Sequence, residues 1–453
     1  MNAILEEQPT LAGTLRLAIA DDQAETLLEL LATHPAPDIA LALIELPRQD
    51  WHSLFAYLDH QQAAEVYAHL PSEQQTVLLE NLEQEQATQL IAELSYDDAA
   101  AVLEELETHH AEAILEALPD QDQQILSALL AYPEESAGRL MTPEFATVLP
   151  DWSVAEALDH LREHSEIAET VNTIFVVSPK GQLLGWLRLK ELLLSRPGMS
   201  VQSRMHSDVI SVDALEDREE AARRISHYDL DVLPVVNERG VLLGIITVDD
   251  VLDVIREETT EDFHRMAAVA DLPLSLRDAS LKLLYRKRVG WLVILVLVNL
   301  LSGTAIAFFE ASIEAVVALV FFLPMVIASG GNAGAQASTL MVRALATGDI
   351  QTRDWFKLAS KEVLVSAALG AAMAGSIWLS GNWLGTLDVA NAIAVAMFLV
   401  VVFGSLFGMS LPFVLTRLGL DPATASAPLI TSVVDVVGIM IYFSVATALL
   451  RLG

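Results

Sequence analysis

The sequence predicts a multidomain chain in three parts: an all-α superhelix of short helical repeats, a tandem α/β pair, and a five-helix α transmembrane domain. A leucine recurs every twelve residues from Leu46 to Leu130, two twenty-residue stretches align without a gap at an offset of 59, and five long apolar runs occupy the chain from about Gly290 onward. Length agrees, since 453 residues correspond to about three domains. A formal charge of −35 beside a mean hydropathy of +0.42 is an unusual pairing. Segregation explains it: residues 1–137 hold 27 Asp and Glu against only Arg16 and Arg48, whereas the chain beyond Trp291 is mostly apolar.

The first part, 1–137, repeats a turn leucine, then acidic or amide residues, then a short amphipathic helix, as in LPSEQQTVLLEN, LEQEQATQLIAE and LSYDDAAAVLEE. A second apolar residue falls eight positions into each unit, from Leu54 and Val66 through to Leu126. Carboxylates in a first helical turn suit the helix dipole. Units this short bury no face alone, so they stack into a helical array. Asp97 and Asp98 open one such helix.

After YPEESAG the pattern becomes α/β, over 138–255. Ile174–Leu193 and Leu233–Leu252 each read as a strand, a turn ending at Gly181 or Gly240, a second strand and a helix. Helical stretches at Ser153–His164 and Asp217–His227 precede them. These two βαββα units resemble a CBS-domain pair, a regulatory module that dimerises and in some proteins binds nucleotides. Leu230 and Thr173 stand where an adenine-stacking aromatic is wanted, so nucleotide binding has little support here.

A connecting segment, 250–285, begins with an acidic helix. Asp250, Asp253, Glu257 and Glu261 make one stripe, flanked by Glu258 and Asp262. Like charges one turn apart repel by a few tenths of a kcal/mol per pair in water. A solvated face and a divalent-cation site both account for the stripe.

The membrane domain, 286–453, is expected to cross five times: Gly290–Phe309, Ile313–Ser338 or beyond, Phe356–Ser380, Leu387–Leu415 and Pro428–Leu450. Lys282, Arg286, Lys287 and Arg288 precede the first span; Arg343, Arg353, Lys357 and Lys361 lie between or beside the second and third; Arg417 follows the fourth. The opposite loops have no Lys or Arg. The basic loops place the N-terminal parts in the cytosol and the C-terminus outside. The acidic N-terminus has no signal-peptide pattern, which agrees.

Inside the second span, Pro324 removes a rung of the helix ladder, and Gly330, Gly331 and Gly334 weaken it, so a broken helix is expected. Broken backbone at membrane depth lines a water-filled path or is buried in protein. Asn332 and Gln336 add amide oxygens one turn apart. Close packing through small residues is the competing explanation. In the fifth span Asp435 lies about two turns past Pro428. A charge at that depth costs roughly 2.5–3.5 kcal/mol, so it faces a pore or a partner. Thr431, Ser432 and Gly438 share its face. With no Lys or Arg in the middle of any span, a cation pathway is the favoured reading. Asn332, Gln336 and Asp435 read as the strongest polar intrusions.

Clustered basic residues for nucleic acid are absent. So are cysteines, any phosphate-binding glycine–lysine loop, and any nucleophile–base set, so no enzyme activity is expected. His109 and His110 read as surface residues.

The order of parts, with SGGNAGAQ, RALATGD and APLITSVVDVVG, resembles the MgtE-type magnesium channels over nearly the whole chain. The resemblance implies a homodimer in a bacterial cytoplasmic (inner) membrane, with one pore on the two-fold axis. Mg²⁺ would be both transported ion and regulator, gating passive uptake shut from the cytosol. The family's pore aspartate falls on Asp435, beside the Thr431 carbonyl, and a site at the cytosolic pore end falls on Asp421. Gly331, Asn332, Gly334 and Gln336 would line the pore. Sensor acids fall on Glu219, Asp229, Asp250, Asp253, Glu258, Glu261 and Asp262, with Asp97 and Asp98 carried over on pattern alone. Ala335 and Ala427 replace two amides near the family's filter. A broader divalent-cation transporter and a membrane-anchored cation sensor are the alternatives.

Overall fold

The computed structural model describes residues 10–21, 23–164, 168–270, 279–384 and 386–451. Part of the expected connecting segment, 271–278, lies outside the described residues. The chain divides into two units, Met1–Glu257 and Glu258–Gly453.

The first unit opens with an array of helices of eight to eleven residues between Leu11 and Leu130. The repeat leucines close helices rather than fill them: Leu46, Leu106 and Leu118 take extended backbone at the C-caps. Leu54, Val66, Leu78, Leu90, Val102, Ile114 and Leu126 are all buried. From Ala36–Glu45 onward, every helix up to Tyr96–Glu105 except Arg48–Phe55 packs on the helix two places along, giving two interleaved rows that share one core. One helix of the array, α1 (Tyr96–Glu105), carries Asp97 and Asp98 in its first turn.

The core continues through Ala137 and Met141 into the α/β pair. In the first α/β unit, β1 (Phe145–Val148) is followed by α2 (Val154–His164), and β1 pairs in parallel with β2 (Thr170–Val177). β2 then turns antiparallel into β3 (Leu183–Arg188). The second unit repeats this: β4 (Val212–Asp213), α3 (Arg218–Tyr228), β5 (Val232–Val236) and β6 (Leu242–Thr247). Gly181 and Gly240 adopt φ of +78° and +72°, as the two hairpin turns require. The turns bond reciprocally: Leu183 N–H donates to the Gly240 carbonyl at 2.9 Å, and Leu242 N–H to that of Gly181 at 3.0 Å. A second exchange covers the outer edges. Thr142, ahead of β1, pairs with Ile245 of β6, and His206, ahead of β4, pairs with Trp186 of β3. A Cβ on Gly185 would stand 2.6 Å from the His206 carbonyl, and one on Gly244 2.7 Å from that of Thr142, so both crossings need glycine. After β6 the chain enters α4 (Val248–Met266).

The second unit contains five helices long and apolar enough to span a membrane: α5 (Leu281–Phe308), α6 (Ala318–Ala346), α7 (Trp355–Leu384), α8 (Leu387–Arg417) and α9 (Ala427–Leu450). The expected break in the second span does not occur, and α6 runs unbroken through Pro324 and the glycines. Close approach explains the glycines instead. A Cβ on Gly334 would meet the Gly404 carbonyl at 2.7 Å, and Gly330 and Gly408 touch the same paired backbones. The small residues serve helix packing.

Candidate cation sites

Three helices of the membrane unit, α6, α8 and α9, pack closely on one another. Gly330 and Gly334 of α6 face α8, while Gly331 faces α9, where a Cβ would lie 3.0 Å from Thr431 Cγ2. Gly438 of α9 closes on Ile327 and Val400. Ser338 Oγ donates 3.1 Å to the Ala425 carbonyl, fixing α6 to the approach of α9. With those faces used, Asn332 and Gln336 project from an exposed face of α6. Amides are costly in hydrocarbon, so such a face belongs to water or to protein. Thr431 and Ser432 hydroxyls both donate to the Pro428 carbonyl, at 3.0 and 2.8 Å, so both protons are committed within the first turns of α9. Asp435 is half-buried and has no ion pair among the described residues. Gly331 and Gly334, expected to line a pore, are buried packing residues.

Outside the membrane helices, the first unit gathers acids from four places in the chain. Asp97 and Asp98 of α1 meet Glu144, Glu169, and Asp249 and Asp250 at the start of α4. Asp250 Oδ2 accepts from Thr247 Oγ1 at 2.6 Å. Burial, then the charge of Asp97, pushes Asp250 up to about 8. Burial and Asp97 push Asp98 up to about 7, and burial and Glu169 push Glu144 up to about 7. Asp97 is raised as well, chiefly by burial. Its Oδ1 is shielded from solvent and has no hydrogen-bond partner among the described residues. Carboxylates held this close and partly desolvated resist ionising together unless a cation joins them.

Other acids stay apart. Glu219, Asp229 and Asp253 are exposed, and Asp253 pairs with Arg256 at 2.8 Å. The expected acidic stripe of α4 is therefore divided between surroundings: Asp250 in the cluster, Asp253 outside it. In the second unit, Arg265 forms ion pairs with both Glu261 and Asp421. Asp421 also caps a short turn, accepting from Ala423 N–H at 2.8 Å. Burial, then Asp421 and Glu258, raise Asp262 to about 6.

Comparison with known proteins follows these divisions. Residues 33–135 match the MgtE intracellular N domain, 137–197 and 200–257 match CBS domains, and 323–445 match the MgtE divalent cation transporter domain. The magnesium transporter MgtE of Thermus thermophilus is 43% identical over 326 residues, covering 72% of each chain. The chain belongs to the MgtE family. The Bacillus subtilis magnesium transporter MgtE is 37% identical over 73% of each chain. Among solved structures, the cytosolic domain of the Mg²⁺ channel MgtE in complex with ATP is 36% identical, with a TM-score of 0.52 over 54% of this chain and 99% of that one. The soluble part of a magnesium transporter gives 27% and 0.51, over 55% and 98%.

In this MgtE chain, sequence reasoning missed Glu144, Glu169 and Asp249 as neighbours of Asp97 and Asp98. It also missed Arg265 as a counter-charge and Glu362 as a second carboxylate inside a membrane helix. Only Glu362 left a readable signal, an acid seven residues into an apolar helix.

Proposed function

We propose that this multi-pass membrane protein is a Mg²⁺ channel that admits magnesium passively and is closed by Mg²⁺ on its cytosolic side. The observation that carries the reading is Asp435: a half-buried carboxylate in a membrane helix, with no counter-charge among the described residues, on a helix packed against α6, whose exposed face bears Asn332 and Gln336. A fixed negative charge concentrates cations there. Mg²⁺ sheds water reluctantly and keeps an octahedral shell, so one carboxylate per chain and backbone oxygens such as that of Thr431 suit a largely hydrated ion. In a homodimer that face would be doubled around one axis. The membrane potential drives entry by about 2.3 kcal/mol per charge per 100 mV.

The cytosolic acids supply the gate. The Asp97–Asp98–Asp250 cluster, with Glu144 and Glu169, is compact and lacks enough neutralising charge, so cation binding and compaction are linked. Glu258, Glu261, Asp262 and Asp421 form a second acidic group, and Glu219, Asp229 and Asp253 offer further surface ligands. Mg²⁺ flux into proteoliposomes, with Mg²⁺ varied on the cytosolic side, tests the reading. Flux should fall as that concentration rises and vanish in Asp435→Ala; a conducting Asp435→Ala protein refutes it. The alanines at 335 and 427, in place of filter amides, favour a second reading with broader divalent selectivity, measured in the same assay with Co²⁺, Mn²⁺ and Ni²⁺.

A further inference from the structure

Within the five membrane helices, only Glu362 and Asp435 carry a carboxylate more than one turn from a helix end. Glu362 is seven residues past Trp355, the start of α7, and Asp435 eight past Ala427, the start of α9. At 1.5 Å per residue both lie about 10–12 Å into their helices. Basic loops precede α7 and follow α8, so α7 and α9 start from the same side. Asp435 fits the pathway. Glu362 has no part in it so far, and a carboxylate at this depth is retained for a reason.

Its surroundings give the reason. Trp355, Leu358, Ala359, Glu362, Ser366 and Gly370 fall at spacings of three or four along α7, the face that meets α8. Trp355 Nε1 donates to Ser410 Oγ of α8 at 3.3 Å. A Cβ on Gly370 would stand 3.1 Å from the Phe398 carbonyl of α8. Between these contacts Ser405 Oγ, 1% exposed, donates to Glu362 Oε1. Ser405 directly follows Gly404, which together with Gly408 seats Gly330 and Gly334 of α6. A hydrogen bond to a carboxylate adds a directional restraint on axial position that the surrounding apolar contacts do not supply. No ion pair reaches Glu362 among the described residues, so Ser405 is its directed contact.

We propose that Glu362 is a positioning residue for Mg²⁺ permeation: it holds Ser405, sets the axial position of α8, and so fixes the glycine seat on which α6 presents Asn332 and Gln336. This rests on the pathway reading above. The test uses the full-length protein in proteoliposomes, with Mg²⁺ flux, Mg²⁺-over-Ca²⁺ discrimination and thermal unfolding measured for each variant. Glu362→Gln keeps an acceptor for Ser405 and should retain both flux and discrimination. Glu362→Ala and Ser405→Ala should each lower flux on the order of tenfold and blunt discrimination. The double Ala variant should be no worse than either single one, because both remove one contact. A Gln variant as impaired as Ala overturns the proposal, since charge rather than position would then matter. Additive losses, or lowered stability with normal flux and discrimination, overturn it equally. Asp435→Ala, assayed in parallel, reports on the pathway reading separately.

Discussion

Replacing Asp250 by Asn should stabilise the metal-free protein, although it removes a hydrogen-bonded, half-buried side chain. The amide oxygen still accepts from Thr247, and one charge leaves a cluster that resists ionisation. The sign follows from the raised pKa. Between the ordinary value of 3.8 and about 8 the folded state holds a proton at Asp250 that the unfolded chain has released. Folding is therefore favoured as pH falls through that window and disfavoured as it rises. At roughly 1.4 kcal/mol per pH unit, the gap between 3.8 and neutral pH sets a ceiling of about 4 kcal/mol. Asp97 and Asp98 share that cost, so about 1–2 kcal/mol is expected for Asp250 alone, or roughly 2–8 °C for a unit of this size. The assay is thermal unfolding of the full-length protein in detergent, with chelator or with millimolar Mg²⁺, between pH 5 and 8. Wild type in chelator should lose stability as pH rises, and Mg²⁺ should restore most at pH 8. Asp250→Asn should flatten the pH dependence and shrink the Mg²⁺ shift. An Asn variant that melts lower in chelator at every pH, or that keeps the full Mg²⁺ shift, refutes the linkage.

Asp435→Ala should fold and insert at wild-type yield while losing Mg²⁺ flux, measured with size-exclusion profiles beside proteoliposome uptake. Gly334→Ala places a Cβ 2.7 Å from the Gly404 carbonyl and should lower expression and thermal stability, whereas Gly375→Ala, with nothing within 4 Å, should leave both unchanged. Arg265→Met frees Glu261 and Asp421 from a resident guanidinium. The Mg²⁺ concentration that half-protects the cytosolic part from protease should fall several-fold; an unchanged midpoint would show that Arg265 does not compete with the ion.

What could be read in advance followed from periodicity. Twelve-residue spacing put Leu54 through Leu126 in the core, the 59-residue offset placed Gly181 and Gly240 at equivalent turns, and apolar length gave the membrane helices. What stayed hidden depended on contacts across the fold. The glycines of α6 promised a break because propensity describes a helix alone; against Gly404 and Gly408 they permit contact that larger side chains would prevent. Asp250 and Asp253 share a stripe by spacing, but Asp97 and Asp98 of α1 crowd the former while the latter meets solvent and Arg256. No spacing rule joins acids more than forty residues apart in sequence. Glu362 is visible as an acid in an apolar helix, but its contact with Ser405 joins residues 43 apart on two helices, which no spacing within α7 encodes.

The exchanged edges of the tandem pair bear on how this part of the chain came to be indivisible. Thr142 shields β6, and His206 shields β3, so the lead-in to each α/β unit completes the sheet of the other. Severed near residue 198, each half would carry an uncovered strand edge and a lead-in with nothing to cover, the condition that promotes strand addition between molecules. The two halves are thus mutual chaperones. Gly185 and Gly244 mark the crossings, and losing either would turn an internal clasp into an adhesive surface.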